Sequence, residues 1–398
     1  MDATVTDQVS LSFDPAVWRA TGAPFLAAGA AEGPLAGVRV AVKDLFAVAG
    51  QRVGGGNPVW LEQAPPEPEH ASAVGQLLDS GASVAGLAHT DELAFSLAGT
   101  NVHYGTPGNP AAPGRTTGGS SSGCAAAVAG GAADLGLATD TAGSIRVPAS
   151  YCGLYGWRPT HGSIPTDGLV ALAPSFDTVG LLARTAGVLR AGARALLPES
   201  ATVPVRRLVV DDAVTAQAGP EVATAFETAV RALSSRTGLD VVRVDSGVAA
   251  GVTEWLPAFR TVQAAEAWHS HGAWIERHPG ALGRDVAARF EAGRTVGDRE
   301  LARCRRVLDS ARTTLLAEVP PGTALLLPSA SSPAPRAEAG AEAIEATRAA
   351  TLRLTCPASL AGLPAVGMPL LRVGGLPVGL CAVGAPGADH ALLALAGT

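Results

Sequence analysis

Lysine is nearly missing from this chain. Of the 29 lysines and arginines in its 398 residues, only Lys43 is a lysine. Charged residues make up 16% and hydrophobic ones 47%, well below the usual quarter charged. So little charge argues against a disordered or fibrous chain and favours a sheet buried under helices. The net charge of -6 argues against nucleic acid as a partner, because phosphate binding needs clustered cations. No apolar run approaches the roughly 18 residues of a membrane span, so no membrane association is expected. The opening MDATVTDQVS has neither the basic start nor the apolar stretch of a secretory leader. The five cysteines (Cys124, Cys152, Cys304, Cys356 and Cys381) are odd in number, scattered and without a CxxC pair. Reduced thiols in a cytoplasm are the expectation, with no metal and no cofactor.

The one surviving lysine matters because of what arginine cannot do. Arginine replaces lysine in surface charge and salt bridges, but a pKa above about 12 keeps it protonated. A buried lysine can lose its proton. Lys43 is therefore a candidate base or Schiff-base former, against the plain alternative of a surface residue left by chance.

Along the chain, the first thirty-odd residues show little periodicity and read as a capping arm. GVRVAVKDLF (37–46) is β-branched and partly alternating, a strand ending near Lys43. HASAVGQLLDSGA has helical spacing, and SVAGLAHT returns to strand. Residues 99–123 are crowded with Gly, Pro, Asn, Thr and Ser, and form a long loop of the kind that is more often functional than decorative. CAAAVAGGAA reads as a helix of small residues packed on a sheet, DLGLATD as a strand, and TAGSIRVPAS as a turn followed by extended chain. From about 180 to 317 the pattern is mostly helical, with strands RRLVVDD and DVVRVDS interleaved. After 320, ALLLPSASSP and PASLAGLPAVGMPLLRVGGLPVGLCAVG read as short buried strands and tight turns. Strands alternating with helices, without repeats or a flexible linker, predict one α/β domain over 1–398.

Several chemistries fail on spacing. The P-loop and the G-x-G-x-x-G dinucleotide turn are both missing. His269 and His271 in WHSH lie two apart and diverge on a helix, so they read as partly exposed helix residues rather than metal ligands. In GGSSSGC (118–124), Ser121 sits in a G-x-S-x-G pattern, the nucleophile elbow of α/β-hydrolases, with His161, His269, His271, His278 or His390 to complete a triad. An elbow directly follows a buried strand, however, and the loop-like GNPAAPGRTTG precedes this one. TDTAGS differs. There a strand (135–140) runs into a turn of Thr141, Ala142, Gly143 and Ser144, whose small side chains let several N–H groups converge as an oxyanion hole requires. Ser144 is placed to attack a carbonyl held there. A tight connection or helix cap is the alternative for such a turn.

Taken together, these segments resemble the amidase signature family. The likeness runs from GPLAGVRVAVKDLF through TTGGSSSG, ATDTAGSIRVPASYCGLYGWRPTHG and SFDTVG to LPSASSPAP and SLAGLPAVGMPLLRVGGLPVGL, and is densest over 99–180. It implies a single α/β/α domain with a mixed central sheet: a signature core at about 37–180, a variable region at about 180–320 and a C-terminal sheet segment at about 320–398. It also implies an amide hydrolase acting on a small-molecule amide. Residue by residue, the resemblance makes Lys43 the catalytic lysine, Ser144 the acyl-forming nucleophile, and Ser120 the bridging serine after a cis Gly119-Ser120 peptide. The amides of Thr141, Ala142, Gly143 and Ser144 become the oxyanion hole. The family usually shows GGSSGG and DTGGS, so Ser122 and Ala142 stand here in place of glycines.

Within the family, DELAFSLAGTNVHYGTPGNP, GGSSSG, VPASYCGLYGWRPTHG and APSFDTVG look most like the short plant-type amidases that hydrolyse indole-3-acetamide. An arylacetamide is the leading substrate, with His103 and Tyr104 as candidate pocket residues. A ureido or biuret-type amide, an esterase built on Ser121 and a partner-dependent amidase-like subunit are the alternatives, and a homodimer is left open. Arg146 is expected to pair with Asp140, and Cys124 to be core packing.

Overall fold

Eleven strands hydrogen-bond into one mixed sheet in this computed structural model, which describes residues 13–199 and 202–398. The first twelve residues of the expected capping arm lie outside the described residues. In chain order the strands are β1 (Trp18–Thr21), β2 (Arg39–Lys43), β3 (Ser83–Ala88), β4 (Leu135–Thr139), β5 (Tyr155–Arg158), β6 (Val179–Ala183), β7 (Arg207–Asp211), β8 (Asp240–Val244), β9 (Thr323–Pro328), β10 (Ala365–Val373) and β11 (Leu376–Val383). Their order across the sheet is β1-β3-β2-β4-β6-β5-β10-β11-β9-β7-β8. β3, β2 and β4 are parallel neighbours, as are β9, β7 and β8. The strands between these two blocks pair antiparallel.

The central strands are apolar without alternation because helices cover them. RVAVK in β2 and LGLAT in β4 are buried almost throughout. The helix Ser122–Ala129 lies against them, and its small residues permit a close approach: a Cβ on Gly136 of β4 would come within 3.3 Å of the Cys124 Cβ. The helices Pro220–Thr237, Val248–Arg277, Arg284–Arg294 and Asp298–Glu318 fill the expected helical region. Among the described residues no helix is long and apolar enough to cross a membrane.

Three local expectations need correction. The second half of TAGSIRVPAS is the helix Arg146–Cys152 rather than extended chain. Its β-branched residues read as strand, but Pro148 falls in the first turn, where a missing N–H costs nothing. The amides of Ile145 and Arg146 donate to Asp140 instead of to a local cap. Likewise PASLAG closes the helix Ala341–Ala361 in spite of Pro357, and β10 and β11 are long strands of 9 and 8 residues. They turn at Gly374 and Gly375, both at positive φ, which glycine tolerates. Finally, His269 is exposed, but His271 is buried, with its Nε2 2.7 Å from the Ala171 carbonyl and its ring edge-on to Trp60.

Candidate active site

β2 and β4 run parallel with Val42 opposite Leu137, so their C-terminal residues, Lys43 and Thr139, emerge side by side. This end of parallel strands is where α/β proteins place their sites. Lys43 Nζ donates to Thr139 Oγ1 at 2.8 Å and to Ser120 Oγ at 2.8 Å. Lys43 and Ser120 are fully buried. Burial pushes the Lys43 ammonium down from 10.5 to about 8, against the opposing pull of Cys124, Asp91, Asp177 and Asp140.

Ser120 reaches the lysine from the long loop. The Gly119-Ser120 peptide is cis. The Ser120 carbonyl accepts from the Asp91 amide at 3.0 Å and from Thr90 Oγ1 at 3.0 Å. Any side chain at position 119 would collide with Asp91, whose Oδ2 lies 2.2 Å from the Cβ position. Ser121, the elbow candidate, is fully buried at the start of the helix Ser122–Ala129, with its Oγ donating to the Thr139 carbonyl at 3.4 Å. Ser121 is not among the residues that line the cleft at Ser144. Cys124 is packed against the carbonyls of Ala41 and Leu137, and burial pushes its thiol up to about 12, so it offers no thiolate.

The turn after β4 is held from below by Asp140. This carboxylate accepts from Arg146 Nε at 3.0 Å and Nη2 at 2.8 Å, from Arg158 Nη1 at 3.1 Å, and from the Gly143 amide at 2.9 Å. All three charged side chains are fully buried, and the two guanidiniums hold the Asp140 carboxyl well below the usual carboxylate range despite its burial. The expected Arg146–Asp140 pair is therefore present. From above, Thr141 Oγ1 donates to Asp177 Oδ1 at 2.5 Å and Thr355 Oγ1 donates to the Ala142 carbonyl at 2.6 Å. Gly143 adopts φ +126, and a Cβ there would press on Thr355 at 3.1 Å.

These anchors bear on the four amides expected to form the oxyanion hole. The Gly143 amide is committed to Asp140, whereas those of Thr141, Ala142 and Ser144 have no hydrogen-bond acceptor among the described residues. Ser144, 3% exposed, lines a narrow cleft with Thr141, Ala142, Phe95, Leu172, Gln263 and Arg348. The cleft holds about 10 Å³, close to the room needed for one water molecule.

His103 and Tyr104 do not belong to this cleft. His103 Nε2 lies 2.7 Å from Glu92 Oε1, and Tyr104 stacks on His89 with ring centroids 4.1 Å apart. Asn101 pairs with Gly105 and folds that part of the loop back on itself. Thr139, Arg158, Asp177, Thr355, Gln263 and Arg348 were not singled out from the sequence. Of these, Thr139 was the most readable, because it is the polar residue that ends an otherwise apolar strand beside Lys43.

A lysine with a lowered pKa, bonded to a serine beside a turn of free amides, is suited to a hydrolase that works on carbonyl compounds without histidine. The Amidase family model matches residues 1–393, and the chain belongs to that family, whose enzymes hydrolyse C–N bonds. It is 34% identical over 393 residues to Amidase 1 of Arabidopsis thaliana, covering 91% of this chain and 92% of that protein. It is 39% identical over 218 residues to the indoleacetamide hydrolase of Pseudomonas savastanoi, covering 53% of this chain and 47% of that protein. A solved structure described as a crystal structure of amidase superposes with TM-score 0.82 at 31% identity, covering 92% of this chain and 84% of the other.

Proposed function

We propose that the chain hydrolyses a small primary amide to a carboxylate and ammonia through a Lys43–Ser120–Ser144 relay. The observation that carries this reading is the buried 2.8 Å contact between Lys43 Nζ and Ser120 Oγ. Neutral Lys43 accepts the Ser120 proton while Ser120 accepts that of Ser144, whose oxygen adds to the amide carbon. The oxyanion forms against the free amides of Thr141, Ala142 and Ser144. Collapse expels the amine, which takes the relayed proton and leaves as ammonia. Water then adds to the acyl-serine by the same relay and releases the acid. Asp140 and Asp177 fix the turn and take no proton in this scheme.

For the acyl group, an arylacetamide is the class we place first. It is supported by the relatives named for indoleacetamide hydrolysis and by the apolar Phe95, Leu172 and Leu352 in the cleft wall. Ammonia release from indole-3-acetamide by the purified chain, compared with aliphatic and ureido amides, tests the assignment. Turnover by the chain alone also decides against a partner-dependent subunit.

A further inference from the structure

Arg348 stands where the Ser144 cleft meets a larger cavity. That second cavity, about 260 Å³, shares Phe95, Gln263 and Arg348 with the cleft and is otherwise lined by Arg260, Ala264, Arg289, Ala292 and Glu345. Its charge is lopsided. Three guanidiniums face one carboxylate: Glu345 Oε1 accepts from Arg348 Nη1 at 2.9 Å and Arg260 Nη2 at 3.3 Å, while Arg289 Nη2 lies 3.8 Å from Glu345 Oε2. Glu345 is 50% exposed and the Arg348 side chain only 11%, so the more buried charge depends on the more solvated partner. Arg348 Nε is buried and has no hydrogen-bond partner. A buried donor left unpaired is costly, and guanidiniums crowded together repel, so a second anion here would relieve both. Burial, with the neighbouring Arg289 and Arg260 cations, pushes the Arg348 guanidinium down to about 10.

We infer that Arg348, with Arg289 and Arg260, forms a subsite for a carboxylate at the far end of the acyl group, so that half-amides of short dicarboxylic acids are also substrates of this site. The inference rests on the relay at Ser144 and adds a second class of acyl group to the arylacetamides. Position makes the argument specific. Arg348 and Leu352 lie one turn apart on the helix Ala341–Ala361, and Thr355 and Ser359 continue the same face to hold the Ala142 carbonyl and the Arg146 guanidinium. The helix that fixes the oxyanion turn therefore also sets the distance from Ser144 to the arginine. Phe95 lines both cavities and Ala264 the larger one, so a chain of a few methylenes between the two ends would meet apolar walls. The carboxylates Glu92 and Asp285 line an adjoining cavity that shares Arg289, Glu345 and Arg348 with this one, and there Glu92 already accepts from Asn57 and the Gly283 amide.

The test compares glutaramate with glutaramide, which differ only in a carboxylate or a carboxamide at the remote end, using ammonia release by the full chain. The expected kcat/KM ratio favours glutaramate by about tenfold or more, the scale of a charge-assisted bidentate contact. Arg348→Gln should collapse this ratio, chiefly through KM for glutaramate. Arg348→Lys should retain part of it, and Arg260→Gln, at a half-exposed position, should lower it without endangering the fold. Glutarate should also raise the Tm of the wild-type chain more than an equal concentration of butyrate, whether or not an amide turns over. Equal turnover of the two amides, an unchanged ratio in folded Arg348→Gln and Arg260→Gln, or equal Tm shifts would overturn the subsite. Hydrolysis that survives Lys43→Ala would overturn the relay instead, and the glutarate result would stand apart from it.

Discussion

Lys43 Nζ and Ser120 Oγ are 2.8 Å apart in a pocket that excludes solvent from both side chains. Thr139 Oγ1 holds the same nitrogen at 2.8 Å from β4. As an ammonium, Lys43 donates to both oxygens and cannot take a proton. As an amine, it can accept the Ser120 proton, so the site works only in its neutral form.

The pH profile follows. With Lys43 near 8, the neutral fraction grows about tenfold per pH unit below that value and levels off above it. The log of kcat/KM for a non-ionising amide should therefore rise with unit slope up to about pH 8 and then flatten. A profile flat from pH 5 to 9 would remove Lys43 from the proton path.

Lys43→Arg keeps a cation but supplies no neutral amine. It should lower kcat by about 10³-fold or more, judged by the usual weight of general-base catalysis. Lys43→Met, which fills a similar volume, should do the same with a native circular dichroism spectrum. Substantial activity in either variant, measured by ammonia release, contradicts the role.

Thr139→Val tests positioning. Removing an acceptor that favours the ammonium lowers the Lys43 pKa further, so the rising limb should move to lower pH. A purely structural loss would reduce the rate without moving the limb. Measurement of kcat/KM from pH 5 to 9 distinguishes the two.

Asp140→Asn leaves Arg146 and Arg158 buried without their carboxylate. Breaking such a network by removing one partner costs about 3–5 kcal/mol, which urea unfolding would register as a lower midpoint. The sign with pH is fixed as well. The folded carboxyl is held below its ordinary 3.8, so its stabilisation is complete above that value and is lost as pH falls through the folded pKa. The acid-side decline in stability should therefore be shallower in the Asn variant.

How much of this was readable in the sequence depended on distance along the chain. Lys43 stood out because arginine had taken every other cationic position. Strands β2, β3 and β4 were legible because their apolar runs stop at turn residues. The Arg146–Asp140 pair was legible because both residues flank one turn. Arg158 reaches Asp140 from β5, Thr355 reaches Ala142 from 213 residues away, and Arg348 comes from the same distant helix. No local pattern encodes such meetings. The helix at Arg146 was missed for a related reason: its capping acceptor is Asp140, which precedes the whole turn. His103 and Tyr104 are close to Ser120 in sequence but are not among the residues lining the Ser144 cleft, and Asn101 folds that stretch back on itself.

The most direct test of the central claim is peptide mass spectrometry after reaction with a serine-directed fluorophosphonate. The relay predicts a single adduct on Ser144, absent from Lys43→Ala. An adduct on Ser121, or labelling of Ser144 that does not depend on Lys43, would contradict it.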